Sequence, residues 1–185
     1  MTSVDAFRDY QFREAWTWEH QALLHARAVA GEPGLRKRVE VLRMDVLCNA
    51  VRRDDLRVQV RDMRERMRRE LSSGGGERFD VKQDRGGTAD IEFLAQYWAL
   101  KWARDYPPVA MFPDTIRQLE SVASAALVPQ ETVDLLVRAY QAYRASGHHR
   151  SLDGLENVLE PGEFAAERAA VTCIWEAAMQ GPDSL

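Results

Sequence analysis

Only two cysteines occur among 185 residues, Cys48 and Cys173, far apart and without a C-x-x-C partner. A disulfide scaffold and a zinc knuckle are therefore excluded, and two reduced, buried thiols are expected. No apolar run approaches the roughly 18 residues that span a bilayer, and the polar, acidic N-terminus is unlike a signal peptide. A cytoplasmic protein with no membrane partner is the expectation. Excess positive charge is also missing: 25 Lys and Arg face 29 Asp and Glu, a formal net charge of -4. Such a balance argues against wholesale attraction to nucleic acid, so any basic site must be local. Neither the G-x-x-x-x-G-K-[ST] order of a P-loop nor the G-x-G-x-x-G order of a dinucleotide fold occurs. Ser/His/Asp and Cys/His catalysis have no local signature either.

Two-residue hydrophobic alternation is absent beyond a few positions, whereas apolar residues recur at spacings of three and four nearly throughout. An all-α fold follows, a bundle of about seven helices with no substantial sheet. A single domain over residues 1–185 is expected, with a flexible loop near 72–78 and a long connector near 147–162. The first helix is predicted from Val4 to Ala30, with Ser3 as N-cap and Gly31-Glu32-Pro33-Gly34 as its stop. Its Phe7, Tyr10, Trp16 and Trp18 offer more ring surface than one amphipathic stripe needs. A second helix is predicted from Gly34 to Val51, with Leu35, Val39, Leu42, Val46 and Leu47 facing inward.

A third helix, Asp54 to Ser72, places Leu56, Val60, Met63, Met67 and Leu71 on one face. Arg57, Arg61, Arg64 and Arg68 form a stripe about 100° away, expected to be a solvated border paired with Asp62, Glu65 and Glu70. Further helices are predicted over Thr88–Asp105, Asp114–Ala126, Pro129–Ser146 and Glu163–Gln180. Tyr106-Pro107-Pro108 stops the first of these because neither proline donates a backbone hydrogen bond.

The segment Phe79-Asp80-Val81-Lys82-Gln83-Asp84-Arg85-Gly86-Gly87-Thr88-Ala89-Asp90-Ile91-Glu92-Phe93 stands apart from this regularity. Its two glycines permit positive φ and close approach of a ligand, and the amides opening the next helix near Thr88 are expected to attract an anion. Lys82 and Arg85 add positive charge beside them. Turn chemistry alone also accounts for a Gly-Gly pair, since first-turn acids gain about 0.3–1 kcal/mol from the helix dipole without any ligand. Asp84, Asp90 and Glu92 carry oxygen donors, but Asp90 and Glu92 lie about 200° apart on a helix, so at most one belongs to a ligand site. No metal ligands are assigned. His20 and His25 miss the same-face offsets of three and four, and His148-His149 falls in the connector without a nearby cysteine.

Three stretches in this order carry a resemblance: Glu14-Ala15-Trp16-Thr17-Trp18-Glu19-His20-Gln21-Ala22-Leu23, Val60-Arg61-Asp62-Met63-Arg64-Glu65-Arg66-Met67, and the junction from Lys82 to Phe93. Together with Phe164-Ala165-Ala166-Glu167-Arg168 and Trp175, they resemble the C-terminal helical part of bacterial glutamine synthetase adenylyltransferases over nearly the whole chain. The attaching half of those enzymes is indicated, because Ala89-Asp90 stands where the removing half has Arg-Glu after the double glycine. Thr88 replaces the isoleucine of the usual Gly-Gly-Ile, compatibly with an N-cap.

The resemblance implies support for AMP transfer from ATP to a tyrosine of glutamine synthetase, with Mg²⁺ in the complete enzyme. The family's catalytic palm, with a Gly-Ser turn and two magnesium-holding aspartates one residue apart, is not found in this sequence. Asp54-Asp55 is adjacent and helical, and cannot project both carboxylates from one side of a strand. The chain alone is accordingly expected to have no catalytic residues and no activity. Lys82, Asp84, Arg85, Gly86, Gly87 and Asp90 are the implied nucleotide-binding set, with Arg61 and Arg64 on the same surface. The rival reading is a non-catalytic module docking glutamine synthetase or a PII regulatory protein through the aromatic first helix.

Overall fold

The computed structural model describes residues 3–50, 55–72, 78–160 and 162–180. Among them are eight α-helices: α1 (Val4–Arg13), α2 (Thr17–His25), α3 (Pro33–Asn49), α4 (Leu56–Leu71), α5 (Thr88–Trp102), α6 (Thr115–Ser124), α7 (Gln130–Leu152) and α8 (Ala165–Gln180). A 3-10 turn (Pro107–Ala110) follows α5, and two short strands, β1 (Phe79–Asp80) and β2 (Val158–Leu159), pair antiparallel. The fold is all-α, as the spacing predicts. The chain forms two compact units, Met1–Val60 with Ala95–Leu127, and Arg61–Leu94 with Val128–Leu185. No described helix is long and apolar enough to cross a membrane.

In the first unit the predicted Val4–Ala30 helix is broken in two. The amides of Glu14 and Ala15 both donate to the Tyr10 carbonyl, ending α1. The Glu19 carboxylate then accepts from the Trp16 amide (2.8 Å), starting α2 with the chain turned, and from the Tyr10 hydroxyl (2.6 Å). A side chain reaching back to a free amide is a start signal that apolar spacing does not report. Ser3 caps α1 as expected, accepting from the Ala6 amide at 3.1 Å.

Glu32 and Pro33 open α3 rather than closing the preceding helix: the Glu32 carboxylate accepts from the amides of Gly34 and Leu35, and Pro33 occupies the first turn. Those two amides hold the Glu32 carboxyl below its ordinary value. Leu42, Val46 and Leu47 pack with Leu23, Leu24, Ala99, Leu100, Ala103 and Ala110 into the core of this unit. Within it, Arg43 is buried and donates to the carbonyls of Leu23 (3.0 Å), Leu24 (2.6 Å) and Ala110 (3.1 Å), while burial pushes its pKa down.

His20 and His25 meet different partners. His20 Nε2 lies 3.1 Å from the Gln11 carbonyl. His25 Nδ1–H donates to the Pro113 carbonyl, which only accepts, and Nε2 therefore accepts from Gln96, whose Oε1 accepts from Gln21.

In the second unit, α7 runs through Gly147 to Leu152, so His148 and His149 lie on its last turns and the predicted connector is shorter. The returning chain stabilises this extension. Arg150 donates to the carbonyls of Glu156 (2.7 Å) and Val158 (2.8 Å), and β2 then pairs with β1 as Phe79↔Leu159 and Asp80↔Val158. Tyr143 packs edge-on against Phe79 and Phe164, and burial pushes its phenol pKa up.

Two further expectations are corrected. Cys173 is exposed and Cys48 only half-buried. On α4, Leu71 is exposed and Met63 and Met67 half-buried, whereas Arg64 in the predicted solvated stripe is fully buried. Most of the loop expected near 72–78, and the break placed at 52–55 apart from Asp55, lie outside the described residues.

Candidate functional site

The second unit gathers most of the proposed site residues around the turn from β1 into α5. Asp80 shapes its start: its carboxylate accepts from the amides of Lys82 (2.9 Å) and Gln83 (3.0 Å). Asp84 closes the turn from the other side, accepting from the Asp80 amide (2.8 Å) and the Ser72 hydroxyl (2.6 Å). These short acidic side chains bond locally, which is why they suit a turn.

The amides that open α5 are already engaged. Thr88 donates to the Val81 carbonyl (2.9 Å), Ala89 to Lys82 (3.1 Å) and Asp90 to Gly87 (3.1 Å), while the Gly86 amide donates to Asp90 Oδ2 (2.7 Å). The anion expected on this helix N-terminus thus meets donors that the chain itself has satisfied, and any anion here must be met by side chains.

The glycines serve packing within the chain. Gly86 has φ +76°, and a Cβ there would sit 2.3 Å from the Arg168 carbonyl and 2.7 Å from Thr172 Oγ1 on α8. At Gly87 a Cβ would approach the Val81 carbonyl to 2.7 Å. Gly86→Ala is expected to destabilise the protein by about 2–3 kcal/mol in urea unfolding monitored by circular dichroism, combining left-handed strain with overpacking against backbone.

Beneath the turn lies a buried charge network. Asp90 is 1 % exposed and Arg64 wholly buried, with Arg64 Nε 2.7 Å from Asp90 Oδ1. Arg68 Nη2 reaches the same oxygen at 3.1 Å and its Nη1 reaches Glu65 at 2.7 Å, while Arg64 Nη2 donates to the Gln83 carbonyl. Burial lowers the Arg64 pKa and the Asp90 charge opposes that shift. Glu92 turns elsewhere and accepts from the Tyr140 hydroxyl at 3.0 Å, as its angular offset from Asp90 requires.

Three cationic side chains remain outward. Lys82 is exposed, Arg85 is exposed with Nη2 3.6 Å from Glu65, and Arg61 is partly exposed and bonded to Asp62. Of the eight proposed residues, Asp84, Gly86, Gly87, Asp90 and Arg64 form the scaffold of the turn, and Lys82, Arg85 and Arg61 the accessible charge. Arg68, one turn beyond Arg64, completes the charge network and Asp80 shapes the turn; the sequence reading placed neither in the proposed binding set.

Arg168, far away in sequence, donates from Nε to the Arg85 carbonyl (3.1 Å) and stacks over Phe79 with its guanidinium 4.4 Å from the ring centroid. No local sequence signal marks it for this place. It also lines an open cleft of about 600 Å³ with Arg85, Thr172 and Glu176. The carboxylates of this region do not fit Mg²⁺. Those of Asp80, Asp84 and Asp90 already accept from protein donors, and no described group of three or more His, Cys, Asp and Glu is suited to an ion.

Comparison with known proteins places these features in context. The family model described as glutamate-ammonia ligase adenylyltransferase matches residues 1–41, and that described as GlnD PII-uridylyltransferase matches residues 54–151. The chain is 45 % identical over 181 residues to the bifunctional glutamine synthetase adenylyltransferase/adenylyl-removing enzyme of Hahella chejuensis. The enzymes of the same name from Nitrosococcus oceani and Thioalkalivibrio sulfidiphilus are 44 % and 41 % identical over 180 residues. These matches cover 95 % of this chain for the first and 97 % for the other two, yet 19 % of each relative. The PII-uridylyltransferase model covers more than half of the chain, so the chain belongs to the family that model describes; it is similar along nearly all of its length to the bifunctional enzymes and spans about a fifth of theirs.

Proposed function

We propose that this chain is the helical C-terminal domain of the adenylylating half of a glutamine synthetase adenylyltransferase. In this reading it supports AMP transfer from ATP to a tyrosine of glutamine synthetase in nitrogen regulation, and is inactive without the nucleotidyltransferase palm. Identity of 45 % along 95 % of the chain to the Hahella chejuensis enzyme carries the proposal. Nucleotidyl transfer depends on positioning and on neutralising phosphate charge. Lys82 and Arg85 are the exposed cations at the turn, and they supply that charge toward ATP bound mainly by the palm. Asp84, Gly86, Gly87, Asp90 and Arg64 hold the turn in shape, and Arg61 flanks it. Magnesium belongs to the palm, since the carboxylates of this turn serve protein donors. The complete enzyme acts in the cytoplasm and answers to a PII regulatory protein.

The test is a chimera in which this chain replaces the matched segment of the Hahella chejuensis enzyme. AMP incorporation from labelled ATP into glutamine synthetase is expected for the chimera and absent for this chain alone. Lys82→Ala/Arg85→Ala in the chimera is expected to lower kcat/KM by about tenfold or more, equivalent to about 1.4 kcal/mol. Its melting temperature is expected to be unchanged, because both side chains are exposed. Transfer by the isolated chain overturns its dependence on the palm, and an unaffected double variant removes the turn from any nucleotide role.

A further inference from the structure

The open cleft of about 600 Å³ in the second unit is walled on one side by Phe79 of β1 and Arg85 of the turn, and on the other by the first turns of α8. Arg168 is fixed in it at two points. Its Nε donates to the Arg85 carbonyl at 3.1 Å, and its guanidinium carbon lies 4.4 Å from the centroid of the Phe79 ring, which is 1 % exposed. A planar guanidinium bonded along one edge to a carbonyl and stacked across one face on a buried ring is held in a single orientation. Its Nη1 and Nη2 are left over, and among the described residues no carboxylate pairs with them.

The other charged groups of the cleft are otherwise placed. Glu163 accepts from the Glu160 amide at 3.1 Å, and neither it nor Glu176 makes a described ion pair with Arg168. Arg85 leans toward Glu65, with Nη2 3.6 Å from its carboxylate. Arg168 therefore presents two parallel donors in fixed directions with no described acceptor.

Charge and lining narrow what those donors can take. A planar guanidinium fork matches two oxygens of one anion, whether carboxylate or phosphate. Two arginines and two glutamates leave the cleft without net charge, so a dianionic phosphate would meet Glu163 and Glu176 as well as the arginines. A single carboxylate charge avoids most of that repulsion. Ala165 and Ala169 add apolar wall, suited to the body of a small molecule. We infer that this cleft binds a small organic carboxylate, with its two oxygens on Nη1 and Nη2 of Arg168 and its apolar body along Ala165 and Ala169. The inference stands apart from the proposed function, with which the cleft shares Arg85 alone.

The experiment is a titration of the isotopically labelled chain followed by amide NMR, with benzoate as the carboxylate probe. Benzamide, which has the same shape without the charge, and inorganic phosphate are titrated at the same ionic strength. Benzoate is expected to saturate with a Kd of about 1 mM or below, a fragment's affinity, and to shift the amides of Ala169 and Cys173 in the cleft wall. Benzamide and phosphate are expected to bind about tenfold or more weakly, the first for want of a charge-assisted bond and the second for repulsion by the glutamates. Arg168→Lys keeps the charge but loses the fork, so benzoate should weaken about tenfold and lose its advantage over benzamide. Ala169→Glu adds a carboxylate at an exposed helical position of the wall, and is expected to weaken benzoate about tenfold or more with unchanged circular dichroism.

Equal binding of benzamide and benzoate overturns the proposal, because the cleft would then recognise only apolar surface. Phosphate binding as tightly as benzoate overturns the carboxylate assignment. Shifts that do not saturate, or that fall outside the cleft residues, overturn the site itself. So does an Ala169→Glu variant that binds benzoate as the parent chain does. Arg168 also packs on Phe79, and if Arg168→Lys fails to fold the decision rests on Ala169→Glu.

Discussion

Asp90→Ala is expected to lower the unfolding free energy by about 3–5 kcal/mol, the largest effect of any single substitution proposed for this chain. The carboxylate is buried and accepts from Arg64 Nε, Arg68 Nη2 and the Gly86 amide. Removing it leaves a fully buried guanidinium without its nearest counter-charge and a buried amide without an acceptor. Either loss is more damaging than the pair's formation is favourable, because both ions have already been taken out of water. Urea unfolding followed by circular dichroism measures the loss. Asp90→Asn, which keeps the shape and removes the charge, should recover little of it. The double variant Arg64→Met/Asp90→Leu should recover only part of it, since it removes the buried Arg64 charge but still leaves Arg68 and the Gly86 amide without their acceptor. A loss below about 1 kcal/mol for Asp90→Ala would show that Arg64 finds another solvated arrangement, and the buried pair would lose its structural role.

Arg43→Met is expected to follow at about 3–4 kcal/mol, from leaving the carbonyls of Leu23, Leu24 and Ala110 without their donors inside the core of the first unit. Two of those carbonyls belong to the last turn of α2, where the helix itself supplies few donors, and without Arg43 the Leu23 carbonyl keeps only the Ala26 amide. Arg43→Lys is expected to recover less than half of the loss. One ammonium on a flexible stem cannot reproduce donors leaving a planar fork in fixed directions. The same unfolding experiment reads the global loss, and faster amide exchange at Ala26, whose N–H bonds to the Leu23 carbonyl, locates it. If exchange there is unchanged while stability falls, the damage lies in packing of the arginine stem and the carbonyl account is wrong.

Both residues bear on how far the chain can be read without coordinates. Apolar spacing locates α3, α5, α6 and α8 to within a few residues, because burial of one face is a periodic demand that repeats along the chain. Ser3 and Asp114 are likewise legible as caps, since a cap is a local bond between a side chain and an amide three residues on. The Gly-Gly turn is recognisable as a special backbone, yet the purpose of Gly86 is not. Its missing Cβ makes room for the Arg168 carbonyl and Thr172, which are more than 80 residues away in sequence.

Position along α4 makes the contrast sharpest. Arg57, Arg61, Arg64 and Arg68 repeat like a solvated stripe, and helix geometry alone assigns them one common environment. Asp90 breaks that equivalence by supplying a buried counter-charge to Arg64 and Arg68 only, so that two members of the row enter the interior while Arg61 stays with Asp62 at the surface. The helix break at Glu14–Trp16 has a similar cause, since Glu19 satisfies the Trp16 amide and the Tyr10 hydroxyl together.

The sequence by itself determined the helical class, most helix positions and, through motifs spread over the chain, its family, because propensity, periodicity and short-range bonds are local. Only the tertiary structure decided which charges are buried, that the α5 amides are already satisfied, and that Trp16 and Trp18 stand in water. Those outcomes depend on partners distant in sequence, and the free energy of a charge or a ring is set by what surrounds it after folding.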